Sequence, residues 1–336
     1  MNKMRRVAVT GGGGFLGRYI CRKLVEQQIE VVSISRSSHP HLERMGVCCK
    51  EVDIIDLKKL TEAFAGCDAV IHTAAKAGIW GSKKEYEAVN VVGTQNVVNA
   101  CLSQGIKYLV YTSSPSVVFC GGDISGGDET LTYSDSHFCH YATTKRQAEQ
   151  IVLGSCKRKN FFCCALRPHL IWGPGDPHFL PRLLDRARRG TLKKIGKGNN
   201  KVDVIHVENA AEAHIQALFS MVEEPQKISG KSYFLGQEKP VKMCNFIELL
   251  LNSQGVFPQW KSISFPVAYF MGIVFEGLYK VVGRFKYKEP PITRFLALQL
   301  SRSHYFSHHR AQRDFGYFPK VSIDAGMRML SRLRPK

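Results

Sequence analysis

Arg5-Arg6-Val7-Ala8-Val9-Thr10-Gly11-Gly12-Gly13-Gly14-Phe15-Leu16-Gly17-Arg18-Tyr19-Ile20 is the stretch that decides the fold. Its first six residues read as a short buried strand, and from Phe15 onward Leu16, Ile20 and Leu24 recur on one helical face. Gly11, Gly14 and Gly17 fall at and just beyond the joint. The first permits a tight turn, the second lets the main chain approach a pyrophosphate, and the third lets helix pack on strand. The helix N-terminus then holds the phosphate charge. Further strands are expected at Glu30 to Ser35, Val52-Asp53-Ile54, Ala69 to Thr73, Tyr108 to Ser113 and Phe162 to Arg167, with helical stretches between. Such alternation means parallel strands joined by crossover helices. The class expected is α/β, a Rossmann-type doubly wound parallel sheet.

Past Pro168 the alternation loosens. Gly173-Pro174-Gly175 and Gly196-Lys-Gly-Asn-Asn200 mark loops, Val202 to Val207 reads as one more strand, and a helix follows over Ala210 to Met221. Residues 1–168 and 201–223 are therefore expected to form the nucleotide domain. Residues 169–200 and 224–336 are expected to form a smaller, discontinuous substrate-binding lobe.

Chemistry is carried by Tyr141-Ala-Thr-Thr-Lys145 and by Ser114 upstream of it, at the end of an expected strand. A phenol titrates near 10, too high for acid–base work at neutrality, but an ammonium one helical turn away favours its ionised form. Ser114 would hydrogen-bond the same substrate oxygen. Tyr-x-x-x-Lys alone is a weak pattern, and Tyr19-Ile-Cys-Arg-Lys23 repeats it. Position separates the two. Tyr19 lies on the helix leaving the glycine loop, whereas Tyr141 follows a strand ending in Ser113-Ser114, on the side of the sheet where ligands collect.

Together with Val52-Asp53-Ile54, Val70-Ile71-His72-Thr73-Ala74-Ala75, Asn90-Val-Val-Gly-Thr94 and Leu166-Arg167-Pro168 through Gly173-Pro-Gly-Asp176, these motifs resemble the extended short-chain dehydrogenases/reductases. The resemblance covers nearly the whole chain and is closest to the 3β-hydroxysteroid dehydrogenase/isomerase-like branch. Within it, Lys76-Ala-Gly-Ile-Trp-Gly81, Pro168-His-Leu-Ile-Trp172 and Pro290-Pro-Ile-Thr-Arg294 are similar to bacterial 2-alkyl-3-oxoalkanoate reductases of olefin biosynthesis. The resemblance implies catalytic Ser114, Tyr141 and Lys145. It implies cofactor contacts from Gly11, Gly14, Phe15, Leu16, Asp53, Ile54, Ala74, Ala75, Ser113 and Pro168, with Asn90 supporting the active-site helix or a water chain. For Asp53 a turn-forming role is the alternative. A homodimer is also implied.

Cofactor choice follows from charge. An enzyme preferring NAD places a carboxylate at the end of the second strand to bind the ribose 2′-hydroxyl; that position is Ser35, and Arg36 follows. Losing the carboxylate removes repulsion toward a 2′-phosphate, and a guanidinium has the fork geometry to bind one. NADP(H) is expected, with NAD(H) the alternative and a solvated Arg36 the plain reading of that side chain.

Composition narrows the partners. The 47 Lys and Arg against 28 Asp and Glu give a formal charge of +19. The basic residues are scattered, as on solvated helix faces, and no nucleic-acid recognition module is present. Eleven cysteines lack metal spacing and read as buried thiols of a cytoplasmic protein. Met1 to Arg6 leads straight into the first strand, so no leader peptide is expected. Phe265 to Phe275 carries no charge, but its eleven residues fall short of the ~20 that span a bilayer. With Lys280, Arg284, Lys286 and Lys288 after it, an interfacial helix on anionic lipid is one reading, and a lid or plain core the other.

The substrate is expected to be a large apolar β-keto or β-hydroxy compound, because Ile79-Trp80, Ile171-Trp172 and Phe179-Leu180 offer apolar surface where a nucleotide sugar needs polar grip. Trp80 and Trp172 are candidate substrate contacts, and His169 or Arg182 a cation for a carboxylate, His169 being otherwise structural. A 3β-hydroxysteroid or sterol-4-carboxylate dehydrogenase is the runner-up. A nucleotide-sugar epimerase and a non-catalytic dinucleotide-binding scaffold complete the field.

Overall fold

The computed structural model describes residues 4–158, 160–282 and 289–334. Seven strands, β1 (Arg6–Thr10), β2 (Glu30–Ser35), β3 (Cys48–Glu51), β4 (Ala69–His72), β5 (Tyr108–Thr112), β6 (Phe162–Pro168) and β7 (Ser232–Leu235), form one sheet. Every neighbouring pair is parallel, in the order β3-β2-β1-β4-β5-β6-β7. The order reverses at β1/β4, which opens a crevice at the strands' C-terminal ends.

Both faces of the sheet are covered. One is packed by α1 (Phe15–Glu26) and by Ala210, Ile215 and Leu218 of a long helix, Val207–Glu223; the other is packed by α2 (Gly93–Ser103) and α3 (His140–Ser155). Strands buried on both sides read as continuous apolar runs, which is why β1, β4 and β5 are easy to recognise. β3 is the exception. It lies at Cys48–Glu51 rather than Val52–Ile54, because an edge strand with exposed Lys50 and Glu51 carries a polar pattern.

The lobe is built from short pieces. The expected strand over Val202 to Val207 is divided: Lys201–Val202 joins Val241–Lys242, His304–Phe306 and Ile124–Gly127 in a four-stranded sheet, while Ile205–His206 pairs with Ile171–Trp172. Between them buried Asp203 accepts hydrogen bonds from the Phe306 amide (2.7 Å) and His308 Nε2 (3.2 Å), and the chain turns from one sheet to the next. Two further elements complete the lobe's outer side, α4 (Phe265–Val281) and α5 (Arg294–Ser301). No helix among the described residues is long and apolar enough to cross a membrane, and Arg284, Lys286 and Lys288 lie outside the described residues.

Cysteine pairing departs from expectation. Cys156 and Cys163 form a disulfide between the end of α3 and the start of β6, and the remaining nine cysteines are thiols.

Candidate active site

A cleft of about 660 Å³ runs along the C-terminal ends of the strands and into the lobe. At one end the glycine loop forms its floor. Gly11 has φ +71°, and a Cβ at Gly17 would stand 2.1 Å from the Gly11 carbonyl oxygen, so neither position accepts a side chain. The first turn of α1 holds no acidic residue and no side-chain cap, leaving its amides for an anion. Gly14, Phe15 and Leu16 line the cleft there. This cradle fits the pyrophosphate of a dinucleotide.

Next to it lies the end of β2. Ser35 Oγ accepts the Gly13 amide at 3.1 Å, which ties strand to loop, and exposed Arg36 has no ion-pair partner among the described residues. His39, which nothing in the sequence pattern singled out, also lines this end; its ring occupies the space a Gly13 side chain would need. Asp53, Ile54, Ala74 and Ala75 form the adjoining wall.

Ser114, Tyr141 and Lys145 meet in the middle of the cleft. α3 carries Tyr141, Lys145 and Glu149 at successive four-residue steps, hence on one face. Burial pushes the Tyr141 phenol above its ordinary value, and a hydrogen bond with Ser114 opposes that shift. Lys145 is 3% exposed; Nζ donates to the Thr112 carbonyl at 2.5 Å and sits 4.2 Å over the Tyr111 ring. The ammonium is therefore directed at the end of β5 rather than at the phenol. Burial lowers its pKa to about 7, against the pull of the Glu149 carboxylate.

Glu149 is itself buried and held on every side. Arg167 of β6 gives it two hydrogen bonds (3.0 and 2.5 Å), and Tyr133 a third at 2.8 Å. Ser113 donates its amide to Leu166 at 2.6 Å and its hydroxyl has no partner among the described residues, while Pro168 closes the wall opposite.

Asn90 stands behind this wall, outside the cleft lining. Its side chain accepts the Lys76 amide (2.7 Å) and donates to Thr144 on α3 (3.0 Å), so it clamps a loop to the helix and touches no ligand space. Asn90 belongs to a π-helical turn, Glu87–Val92, that runs into α2. Its carbonyl takes the Thr94 hydroxyl proton at 2.6 Å, which leaves His72 Nε2 donating to Thr94 and His72 Nδ1 accepting from Thr10. Burial keeps this imidazole neutral, with a pKa pushed down to about 3.

At the lobe end Phe119, Phe295 and Phe306 face the cleft together with Ile79. Polar residues there include His169, His304 and Gln299, with Asp176 and His178 lining the cleft beside Phe179. His304 Nε2 donates to the Gln299 carbonyl at 2.9 Å, so His304 Nδ1 accepts from His169 Nε2 at 2.6 Å, and His169 keeps a lone pair on Nδ1. Burial and the neighbouring His304 hold His169 well below its usual pKa. A cationic carboxylate ligand is thus not available at His169. Nor is it at Arg182, which is exposed, outside the lining and paired with Glu289 at 2.8 Å. Trp172 is 1% exposed in the lobe core against His206 and Phe246, and Trp80 packs edge-on against Tyr279 outside the lining. Neither tryptophan lines the cleft. Ile79, Ile171 and Phe179, from stretches whose apolar character the sequence displays, line this end; the lining residues of 295–306 lie where the sequence shows no motif, and the one available signal there is the i, i+4 pairing of Phe295 and Gln299 on a short helix.

Fold and cleft define a Rossmann-type oxidoreductase that uses a dinucleotide. The sequence profile of the 3-beta hydroxysteroid dehydrogenase/isomerase family matches residues 8–267, and the chain belongs to that family. It is 44% identical over 327 residues to the 2-alkyl-3-oxoalkanoate reductase of Stenotrophomonas maltophilia (97% of this chain, 98% of the relative). It is 40% identical over 334 residues to the 2-alkyl-3-oxoalkanoate reductase of Shewanella oneidensis (98% of this chain, 86% of the relative). In fold it is similar to the UDP-glucose 4-epimerase of Thermus thermophilus in complex with NAD, with a TM-score of 0.74 at 22% identity over 97% of this chain and 98% of that one.

Proposed function

We propose that this chain reduces the ketone of a 2-alkyl-3-oxoalkanoate to the 3-hydroxy acid with NADPH. The observation that carries the reading is one cleft in which Ser114, Tyr141 and Lys145 stand between a phosphate cradle and an apolar chamber walled by Phe119, Phe295 and Phe306. The name shared by the two relatives supports it. A dinucleotide held by its pyrophosphate in the cradle of Gly11, Gly14, Phe15 and Leu16 would supply the hydride for the ketone carbon. Tyr141 gives its proton to the ketone oxygen, Ser114 donates a hydrogen bond to the same atom, and Lys145 is assigned to the ribose hydroxyls. Arg36, with His39 beside it, supports a 2′-phosphate and hence NADPH over NADH.

The chamber argues against a nucleotide sugar, whose hydroxyls would leave water for phenyl rings. Two alkyl arms fill it without that loss. NADPH consumption should be measured with 2-alkyl-3-oxo acids of rising chain length, reduction of NADP+ or NAD+ with 3β-hydroxysteroids, and epimer formation with UDP-sugars. Turnover of the branched 3-oxo acids is expected. Activity confined to 3β-hydroxysteroids would move the assignment to the steroid branch.

A further inference from the structure

α4 is built inside out for a surface helix. Its buried face holds Ala268, Gly272 and the carboxylate of Glu276, which accepts the Arg294 amide at 2.7 Å and the Arg294 guanidinium at 2.9 Å. The fit is close, since a Cβ at Gly272 would come within 2.6 Å of the Arg294 nitrogen. The outward face carries Val267, Phe270, Ile273, Val274, Leu278 and Val281, from 42% exposed at Val274 to 87% at Val281. Water-facing helix surfaces carry charge, and a continuous apolar stripe on one marks a contact surface.

Charge indicates what covers it. Lys193 and Lys261 are register partners in the short strand pair that leads into α4, and Lys280 stands in its last turn. All three are exposed, and none has an ion-pair partner among the described residues. The one carboxylate of the helix is turned inward. Hydrocarbon under the stripe with anions at its ends is the chemistry of an acidic bilayer surface, and the formal charge of +19 adds long-range attraction to it. With 17 residues and one buried ion pair, α4 is suited to lie in the interface.

The helix also adjoins the cleft. Tyr279 packs on Trp80, whose neighbours Gly78 and Ile79 line the cleft, and the Glu276–Arg294 pair fixes the start of α5, which supplies Phe295 and Gln299 to it. We propose that α4 docks the protein on an anionic bilayer surface and that the apolar substrate enters the cleft from there. The second half of this inference rests on the substrate assigned above; the first does not.

The test is co-sedimentation of the full chain with vesicles of phosphatidylcholine alone and of phosphatidylcholine mixed with phosphatidylglycerol. Binding to the mixed vesicles is expected, weaker binding to the neutral ones, and a loss of the difference at high salt. Phe270→Glu with Val274→Glu, both at exposed positions, should leave the melting temperature unchanged yet weaken vesicle binding by about tenfold or more. The same variant should keep activity on short, water-soluble 3-oxo acids and lose any stimulation of long-chain turnover by vesicles. Wild-type protein left in the supernatant overturns the proposal, as does equal binding by the double variant. A double variant that breaks an oligomer, with neither protein captured by lipid, overturns it in favour of a second copy on this face. Vesicle binding without turnover of any 3-oxo acid would instead remove the substrate assignment and leave the docking standing.

Discussion

The two ends of the cleft are built on different principles. At the nucleotide end the ligand-facing groups are mostly main chain: Gly11, the free amides at the head of α1, and the ends of β1, β2 and β4. At the lobe end they are side chains from five separate stretches, among them Phe119, His169, Phe295, His304 and Phe306. Main-chain recognition demands particular φ values and close approaches, which few residues satisfy, whereas an apolar chamber accepts many combinations of similar volume. The first end therefore constrains its sequence and the second leaves it free. Tyr141 and Lys145 stand at the seam, held by the sheet but open to the lobe.

Breaking the seam should give the largest effect. Tyr141→Phe removes the proton donor and leaves the phosphate cradle intact, so kcat is expected to fall by roughly 10²–10⁴-fold, with NADPH affinity, read by fluorescence titration, unchanged. Tyr19→Phe is the matched control. Its hydroxyl donates to the Pro174 carbonyl at 2.8 Å, remote from the reacting atoms, and kcat should hold.

The second variant falls on the buried pair that ties α3 to β6. Arg167→Ala leaves the buried Glu149 charge without its main partner, and breaking such a pair costs about 3–5 kcal/mol. Denaturant midpoints should register this loss. A drop below 1 kcal/mol would mean that Tyr133 and Lys145 suffice to hold Glu149.

Lys145→Met sharpens the contrast in the other direction. A lysine whose pKa falls to about 7 on folding binds a proton less readily in the native state than in the unfolded one. Native stability from this group is lowest below pH 7 and rises with pH between about 7 and the unfolded value near 10.4. The methionine variant should be inactive, more stable than the parent at pH 7 by roughly 1–3 kcal/mol, and without that rise. Calorimetry at pH 6, 7 and 9 distinguishes the cases, and a destabilised variant would show that the Thr112 hydrogen bond outweighs burial of the charge.

The smallest effect is assigned to the rim. Arg36→Ala should reduce kcat/KM for NADPH by about tenfold, the worth of one partly exposed charge-assisted contact, and leave the value for NADH alone. Equal losses with both cofactors would place Arg36 in the fold rather than at the 2′-phosphate.

How much of this was legible in the sequence divides along the same line. β1, β2, β4, β5 and β6 stand within a residue or two of their expected bounds, because buried parallel strands and glycine turns leave local marks. Ser114, Tyr141 and Lys145, singled out by motif spacing, line one cleft. Trp172 and Trp80, candidate substrate contacts on the sequence, lie in the lobe core and outside the cleft lining respectively; a large aromatic near a loop does not disclose which way it points. His169 was offered as a cation, yet its state depends on His304 and Gln299, more than a hundred residues away. β7 was missed as part of the sheet. Ser232–Leu235 is four residues of ordinary strand, and only its partner β6 distinguishes it from the lobe's fragments.

That last strand has a bearing on how the chain is made. During synthesis β6 emerges with a bare edge, and the segment that covers it, with Ser232 opposite Ala165 and Leu235 opposite Pro168, follows only after the first stretch of the lobe and the Val207–Glu223 helix. At roughly 5–20 residues per second the edge stays open for several seconds. Ala311, Phe315 and Tyr317, which join the core on one face of the sheet, arrive later still. The nucleotide domain is thus finished after most of the lobe has been translated. A nascent chain halted between the two strands would present a strand edge able to pair with any other polypeptide at hand.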